Sequence, residues 1–220
     1  MSRFKLTKFQ IAVHLGSLIP FFLLVYDAWA NNLTVYPIQA ATYRTGKTAL
    51  VLLLLTLACS PLNRLLGLRQ ALTVRRALGL YTFFYASLHL LIFTVVDYGL
   101  DPQMLYEAIF KKRYALVGFA AFLLLLPLAI TSTKAWMKRL GKRWTRLHNL
   151  IYPAAVLVII HYVWLVKSDI RTPLAFGAGV VALLVLRRPG VRRAIANLRA
   201  QLNRRRREPA GAPESVKSLT

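Results

Sequence analysis

Six apolar stretches, five of them near the roughly 17–25 residues that carry an α-helix across a bilayer and the last short, follow one another along this chain, at 9–30, 46–62, 77–96, 114–131, 151–166 and 173–186. No soluble core of this size would bury all six. Hydrophobic residues make up 57% of the 220 and charged ones 17%, against roughly 45–50% and about 25% in globular domains. The 30 Lys and Arg exceed the 7 Asp and Glu to give a formal charge of +23. In a polar chain that excess would point to nucleic acid; in an apolar one it points to a membrane. The first stretch has no A-x-A-like site behind a short apolar core, so it reads as a retained helix and not a cleaved signal.

Basic residues stay on the cytoplasmic side of a membrane. Arg3, Lys5 and Lys8, then Arg64, Arg69, Arg75 and Arg76, then Lys134 to Arg146, then the tail beyond Leu186 put 23 of the 30 on one side. Opposite them lie Arg44, Lys47, Lys111, Lys112, Arg113, Lys167 and Arg171, close to Asp27, Asp97, Asp101, Glu107 and Asp169. The sequence therefore predicts an all-α integral membrane bundle of six transmembrane helices with both termini cytoplasmic. It divides into a short N-terminal tail (1–8), a membrane unit (9–188) and a basic C-terminal tail (189–220). Within the tail, 187–203 suits an interfacial amphipathic helix and the last dozen or so residues suit disorder. Arg204 to Arg207 reads as an orientation signal and anionic-lipid contact, not a nucleic-acid site. No internal repeat is evident, and the connecting loops are too short for a separate soluble domain.

The chemistry must then lie between helices. Cys59 is the single cysteine, which excludes an intrachain disulfide and a Cys-based metal site. Intramembrane ionisable residues are functional suspects, although a histidine there also serves simply to hydrogen-bond a neighbouring helix. His148 and His161 flank the fifth stretch thirteen residues apart, with Pro153 between them as a source of a kink. In the third stretch His89 follows Arg75 by fourteen residues, nearly whole helical turns, so the two share a stripe. The third and fifth stretches run the same way. His89 is thus level with His161 near the outer face, and Arg75 with His148 near the inner one. Two imidazoles facing each other across helices are what a bis-histidyl haem requires. Zinc, which wants about four ligands, and a proton relay suit these residues less well.

The segments 75–80 (RRALGL), 88–90 (LHL), 131–133 (TST) and 140–149 (LGKRWTRLHN), with His at spacing thirteen, resemble the ferric-reductase-like transmembrane domain and, within it, the MsrQ (YedZ) family. The likeness covers roughly 9–188, and 140–149 is its most specific part. The resemblance implies a haem-binding membrane subunit of a bacterial periplasmic protein-methionine-sulfoxide reductase system. It implies one haem b or two, FMN as a further cofactor, and a periplasmic molybdenum enzyme as partner.

Four histidines would hold two haems in the wider superfamily, but Arg75 occupies the inner position of the third helix. Arginine stays protonated and is a poor iron ligand, so the inner site has His148 with no assured partner; His14 is a minor candidate. His89 and His161 are the expected outer iron ligands. Arg75, Arg76, Lys142, Arg143 and Arg146 suit haem propionates or a flavin phosphate. Tyr85 and Trp164 are near the outer pair but fit plain helix packing.

The resulting expectation is an inner-membrane cytochrome b without a catalytic site of its own. Electrons would come from quinol or a cytoplasmic flavin reductase and leave to the periplasmic reductase, across a loop such as 97–113. The residues after Leu186 hold no G-x-G-x-x-G and are too few for a nucleotide-binding unit, so NAD(P)H would not be used directly. The rivals are a stand-alone ferric reductase and a non-haem transporter or assembly factor. A reporter fused after Thr220 should be active only in the cytoplasm, and one inserted near Asp101 only in the periplasm; the reverse pattern in a paired-reporter assay would overturn the orientation.

Overall fold

The computed structural model describes residues 6–166, 169–188 and part of 190–201. The Arg204–Arg207 run, the disorder expected at the C-terminus and most of the N-terminal tail lie outside the described residues.

Nine α-helices fill the described chain up to Val185, and the described residues of 190–201 are helical too, with no strand among the described residues: α1 (Lys8–Trp29), α2 (Pro37–Leu66), α3 (Arg69–Leu91), α4 (Pro102–Tyr106), α5 (Arg113–Ile130), α6 (Lys134–Leu140), α7 (Lys142–His148), α8 (Ile151–Leu165) and α9 (Arg171–Val185). α3 runs on into a π-helical turn, Ile92–Asp97, and α4 into another, Glu107–Lys111. Five helical spans are long and apolar enough to cross a membrane: α1, α2, α3 with its π turn, α5, and α7 joined to α8. α9 is apolar, but its 15 residues reach only about 22 Å against a hydrocarbon core of about 30 Å.

Local chemistry fixes the ends. Thr7 caps α1 in a reciprocal pair with Gln10: the Gln10 N–H donates to Thr7 Oγ1 at 3.3 Å and the Thr7 N–H to Gln10 Oε1 at 2.9 Å, satisfying two otherwise unpaired groups. Pro37 opens α2, where its missing N–H costs nothing. Gly67 closes it at φ +71°, a left-handed conformation that favours glycine, and turns the chain straight back into α3. Gly141 does similar work between α6 and α7 at φ +50°, ψ −123°, so the polar connection bends back toward the bundle before α8 begins.

The chain turns at Asn149 and Leu150, between α7 and α8. Their N–H groups donate to the carbonyls of Arg146 and Leu147, three residues back. Pro153, with no N–H of its own, sits three residues beyond this tightened turn. The break between His148 and His161 therefore falls at Asn149 and Leu150, ahead of the proline that the sequence marked as the source of a kink.

Two apolar clusters hold the bundle together. Leu53, Leu57, Leu125, Leu128, Ile151, Ala154, Ala155 and Val180 join α2, α5, α8 and α9. Leu52, Cys59, Ala71, Val74, Leu78 and Tyr85 join α2 to α3, with Val13 and Phe21 of α1 against them. Small residues let the axes approach: Ala154 and Ala155 are wholly buried. α1 is fastened to α3 by the Tyr85 hydroxyl, which donates to the Ser17 carbonyl at 2.7 Å, and by His14 and Tyr81, 2.9 Å apart. Elsewhere α1 turns Leu15, Ile19, Phe22, Leu23 and Tyr26 outward, a pattern that belongs against lipid and not water.

Leu57 has no exposed surface at the centre of the first cluster. Leu57→Ala should cost about 2–5 kcal/mol through lost contacts and the cavity left behind, read as a lower thermal midpoint of the purified protein in detergent.

Candidate functional site

A cavity of about 830 Å³ opens between α2, α3, α5 and α8. It lies toward the end of the bundle that carries the α3–α5 connection, called the outer end here. His89 of α3 and His161 of α8 line it, with ring centroids 6.2 Å apart and planes at 87°. The expected pair is thus brought together.

Each ring is tied from behind. His89 Nδ1 donates to the Thr42 carbonyl of α2 at 2.8 Å, and His161 Nδ1 to the Tyr114 carbonyl of α5 at 2.7 Å. A carbonyl only accepts, so the proton of each neutral imidazole is on Nδ1 and the lone pair on Nε2. Metal-bound histidines are held in this way, the bond to the second nitrogen fixing tautomer and orientation.

Glycines make the approach possible. A Cβ at Gly46 would stand 3.0 Å from His89 Nδ1, and one at Gly118 only 2.6 Å from His161 Nδ1. Gly46 follows Thr42 by one helical turn, and Gly118 follows Tyr114 in the same way. Both imidazole–carbonyl bonds span 47 positions. The α2–α3 hairpin and the α5–α8 hairpin therefore carry one arrangement twice, a repeat that the sequence did not disclose. A glycine at constant spacing before each histidine was the available signal.

The donor set fits an iron porphyrin. With metal–nitrogen bonds of about 2 Å and roughly 1.1 Å from ring nitrogen to ring centre, two imidazoles on one iron have centroids about 6 Å apart. The observed 6.2 Å agrees. No group of three or more His, Cys, Asp or Glu gathers among the described residues, whereas a porphyrin brings four ligands of its own.

At the mouth, Asp97 and Tyr98 line the cavity. Lys112 Nζ donates to the Tyr98 hydroxyl at 2.9 Å, a bond that pushes the ammonium pKa up. Tyr85 lies in the α2–α3 core, and Trp164 is half exposed; neither lines the cavity.

The inner end is built differently. His148 stacks on Trp144, centroids 3.8 Å apart, and its Nδ1 donates to the Trp144 carbonyl at 3.1 Å. Its buried Nε2 has no hydrogen-bond partner among the described residues. Arg75 Nη1 donates to Ser60 Oγ at 3.3 Å. Arg76 of α3 is exposed, and so are Lys142, Arg143 and Arg146, because α7 turns Trp144, Leu147 and His148 inward and the residues between them out. His14 is held by Tyr81 and does not line the cavity. Sequence reasoning missed Arg187, counted only as part of the tail. It donates to the Tyr152 hydroxyl at 2.7 Å and the Leu57 carbonyl at 2.5 Å.

Residues 45–159 match the family described as ferric reductase like transmembrane component. A Xanthomonas campestris pv. campestris (strain B100) protein named protein-methionine-sulfoxide reductase heme-binding subunit MsrQ is 48% identical over 182 residues, 80% of this chain and 83% of the relative. A protein of the same name from Ralstonia nicotianae is 46% identical over 181 residues, 81% of this chain and 83% of the relative. The chain belongs to the MsrQ family. With its apolar helices it is a multi-pass membrane protein. No solved structure matches it.

Gly118→Ala should drive His161 off the Tyr114 carbonyl more severely than Gly46→Ala displaces His89, since 2.6 Å is closer than any real Cβ contact and 3.0 Å is at the limit. Resonance Raman spectra of the haem-loaded variants check this ranking through the iron–imidazole signature; equal, wild-type spectra would count against the glycine seats.

Proposed function

We propose that this chain is the haem-binding membrane subunit of a protein-methionine-sulfoxide reductase system. In this reading it sits in the bacterial inner membrane, with α9 as a sixth crossing and both termini cytoplasmic. Residues 9–188 form the haem unit and 189–220 a basic cytoplasmic tail. Electrons enter from quinol or a cytoplasmic flavin reductase and leave to a separate periplasmic, molybdenum-containing reductase that repairs methionine sulfoxide in proteins. The chain is then an electron-transfer subunit, with the catalytic site on its partner.

One observation carries the reading: His89 and His161 line one cavity with ring centroids 6.2 Å apart, and each is locked by a bond from Nδ1 to a backbone carbonyl, which leaves Nε2 as the ligating atom. Haem b, when bound, supplies one-electron exchange at its iron. The chain's own part is to fix two neutral imidazoles in place, so that little reorganisation accompanies a change of charge. Leu50, Leu53, Phe122 and Leu125 wall the cavity and keep water from its deep side. His148 is the ligand for a second haem at the inner end. Arg75, Arg76, Lys142, Arg143 and Arg146 are the cations for propionates there or for an FMN phosphate.

His89→Ala and His161→Ala should each abolish the main reduced-haem band in a dithionite difference spectrum, while His148→Ala keeps it and loses only a second haem or flavin. Full haem in both outer variants would overturn the assignment. In liposomes, the wild-type chain should pass electrons from quinol or a flavin reductase to protein-bound methionine sulfoxide only with the periplasmic partner present. Equal turnover of ferric chelates without that partner would favour a stand-alone ferric reductase.

A further inference from the structure

Lys47 stands in α2 directly after Gly46, ten residues beyond Pro37 and so about 15 Å along the helix axis. Its side chain is exposed where it lines the cavity, and an ammonium within a membrane span calls for a partner. Among the described residues that line the cavity it is the only Lys or Arg. Its neighbour Arg44, one turn earlier, is already paired with Asp27 of α1; the other described ion pair is Lys111 with Glu107. Lys47 belongs to neither and has only the Tyr43 ring, 5.8 Å from Nζ.

The Tyr43 hydroxyl lies 3.3 Å from that of Tyr162, which follows His161 directly, and both tyrosines line the cavity. One ammonium and two phenol groups thus line the same cavity as both imidazoles. Lys47 and Tyr43 come from the same turns of α2 that seat His89. Such a cluster recognises a carboxylate: the ammonium offers charge-assisted hydrogen bonds and the phenols further donors.

We infer that Lys47, with Tyr43 and Tyr162, binds a carboxylate substituent of the group held between His89 and His161, and so sets which edge of that group faces α2. The inference rests on the haem reading above, in which the carboxylates are the propionates. Lys47 is then a binding residue that touches the cofactor. Its positive charge, close to the ring system, favours the reduced form and raises the midpoint potential.

The test uses the full chain, produced without haem and purified in detergent, then titrated with haem b and with its dimethyl ester, in which both carboxylates are blocked. Wild type should bind the free acid about tenfold or more tightly than the ester, the gain of a charge-assisted contact. Lys47→Met should lose most of that preference and lower the midpoint potential, and Lys47→Arg should keep both. Equal wild-type affinity for acid and ester overturns the inference whatever the variants do. So does an undiminished preference in Lys47→Met, the result expected if the ammonium only reaches out to lipid phosphates. A paired-imidazole spectrum with either ligand shows that the haem reading stands apart from this outcome. If neither ligand gives that spectrum, the haem reading falls and this one with it.

Discussion

Each of the two facing imidazoles gives its Nδ1 proton to a helix carbonyl, and much of the outer half of the bundle is arranged to permit it. A carbonyl inside an α-helix already accepts from the N–H four residues on, so the ring must reach its second lone pair through a gap in the helix surface. Gly46 and Gly118 are those gaps. Glycine inside a helix costs about 1 kcal/mol against alanine, and here the cost accompanies a fixed ring orientation. The same small residues let α2 and α3, and α5 and α8, approach closely enough for the bonds to form.

That both hairpins solve the problem alike explains why the repeat escaped a reading of the sequence. Lipid-facing positions tolerate any apolar residue, so the surrounding residues of the two hairpins share little beyond hydropathy. The constraint survives at one carbonyl, one glycine and one histidine per hairpin. Only the hydrogen bonds single these out from the other glycines and carbonyls.

The pairing of His89 with His161 was legible, because parallel helices and equal depth follow from charge bias and spacing. The extent of α2 was not. Its first turns carry Gln39, Thr42, Arg44, Thr45 and Thr48, which lower the hydropathy and move the apparent start to 46. The helix nonetheless runs from Pro37, since Thr42, Thr45 and Thr48 return their hydroxyls to carbonyls four residues back at 2.8 Å and Arg44 is paired with Asp27. This polar stretch supplies Thr42 and Tyr43 to the cavity, and the turn that follows it supplies Gly46 and Lys47. Arg187 escaped for the same kind of reason. A basic residue at a helix end reads as an orientation signal until its partners in α2 and α8 are seen.

The two ends of the bundle then differ in charge as well as in ligands. Arg75 and Arg187 are half-buried at the inner end and bonded to neutral groups, Ser60, Tyr152 and the Leu57 carbonyl. Neither belongs to a described ion pair. In the proposed reading this has an energetic consequence beyond orientation. Uncompensated cations favour whatever reduced, more negative group sits beside them, so an electron at the inner end is held there. Outward transfer requires the outer site to offset that hold. Its two imidazoles are neutral, and Asp97 at the mouth acts in the wrong direction. Among the described lining residues, Lys47 is the cation placed to supply the offset, which gives an intramembrane lysine a role in the direction of transfer as well as in binding.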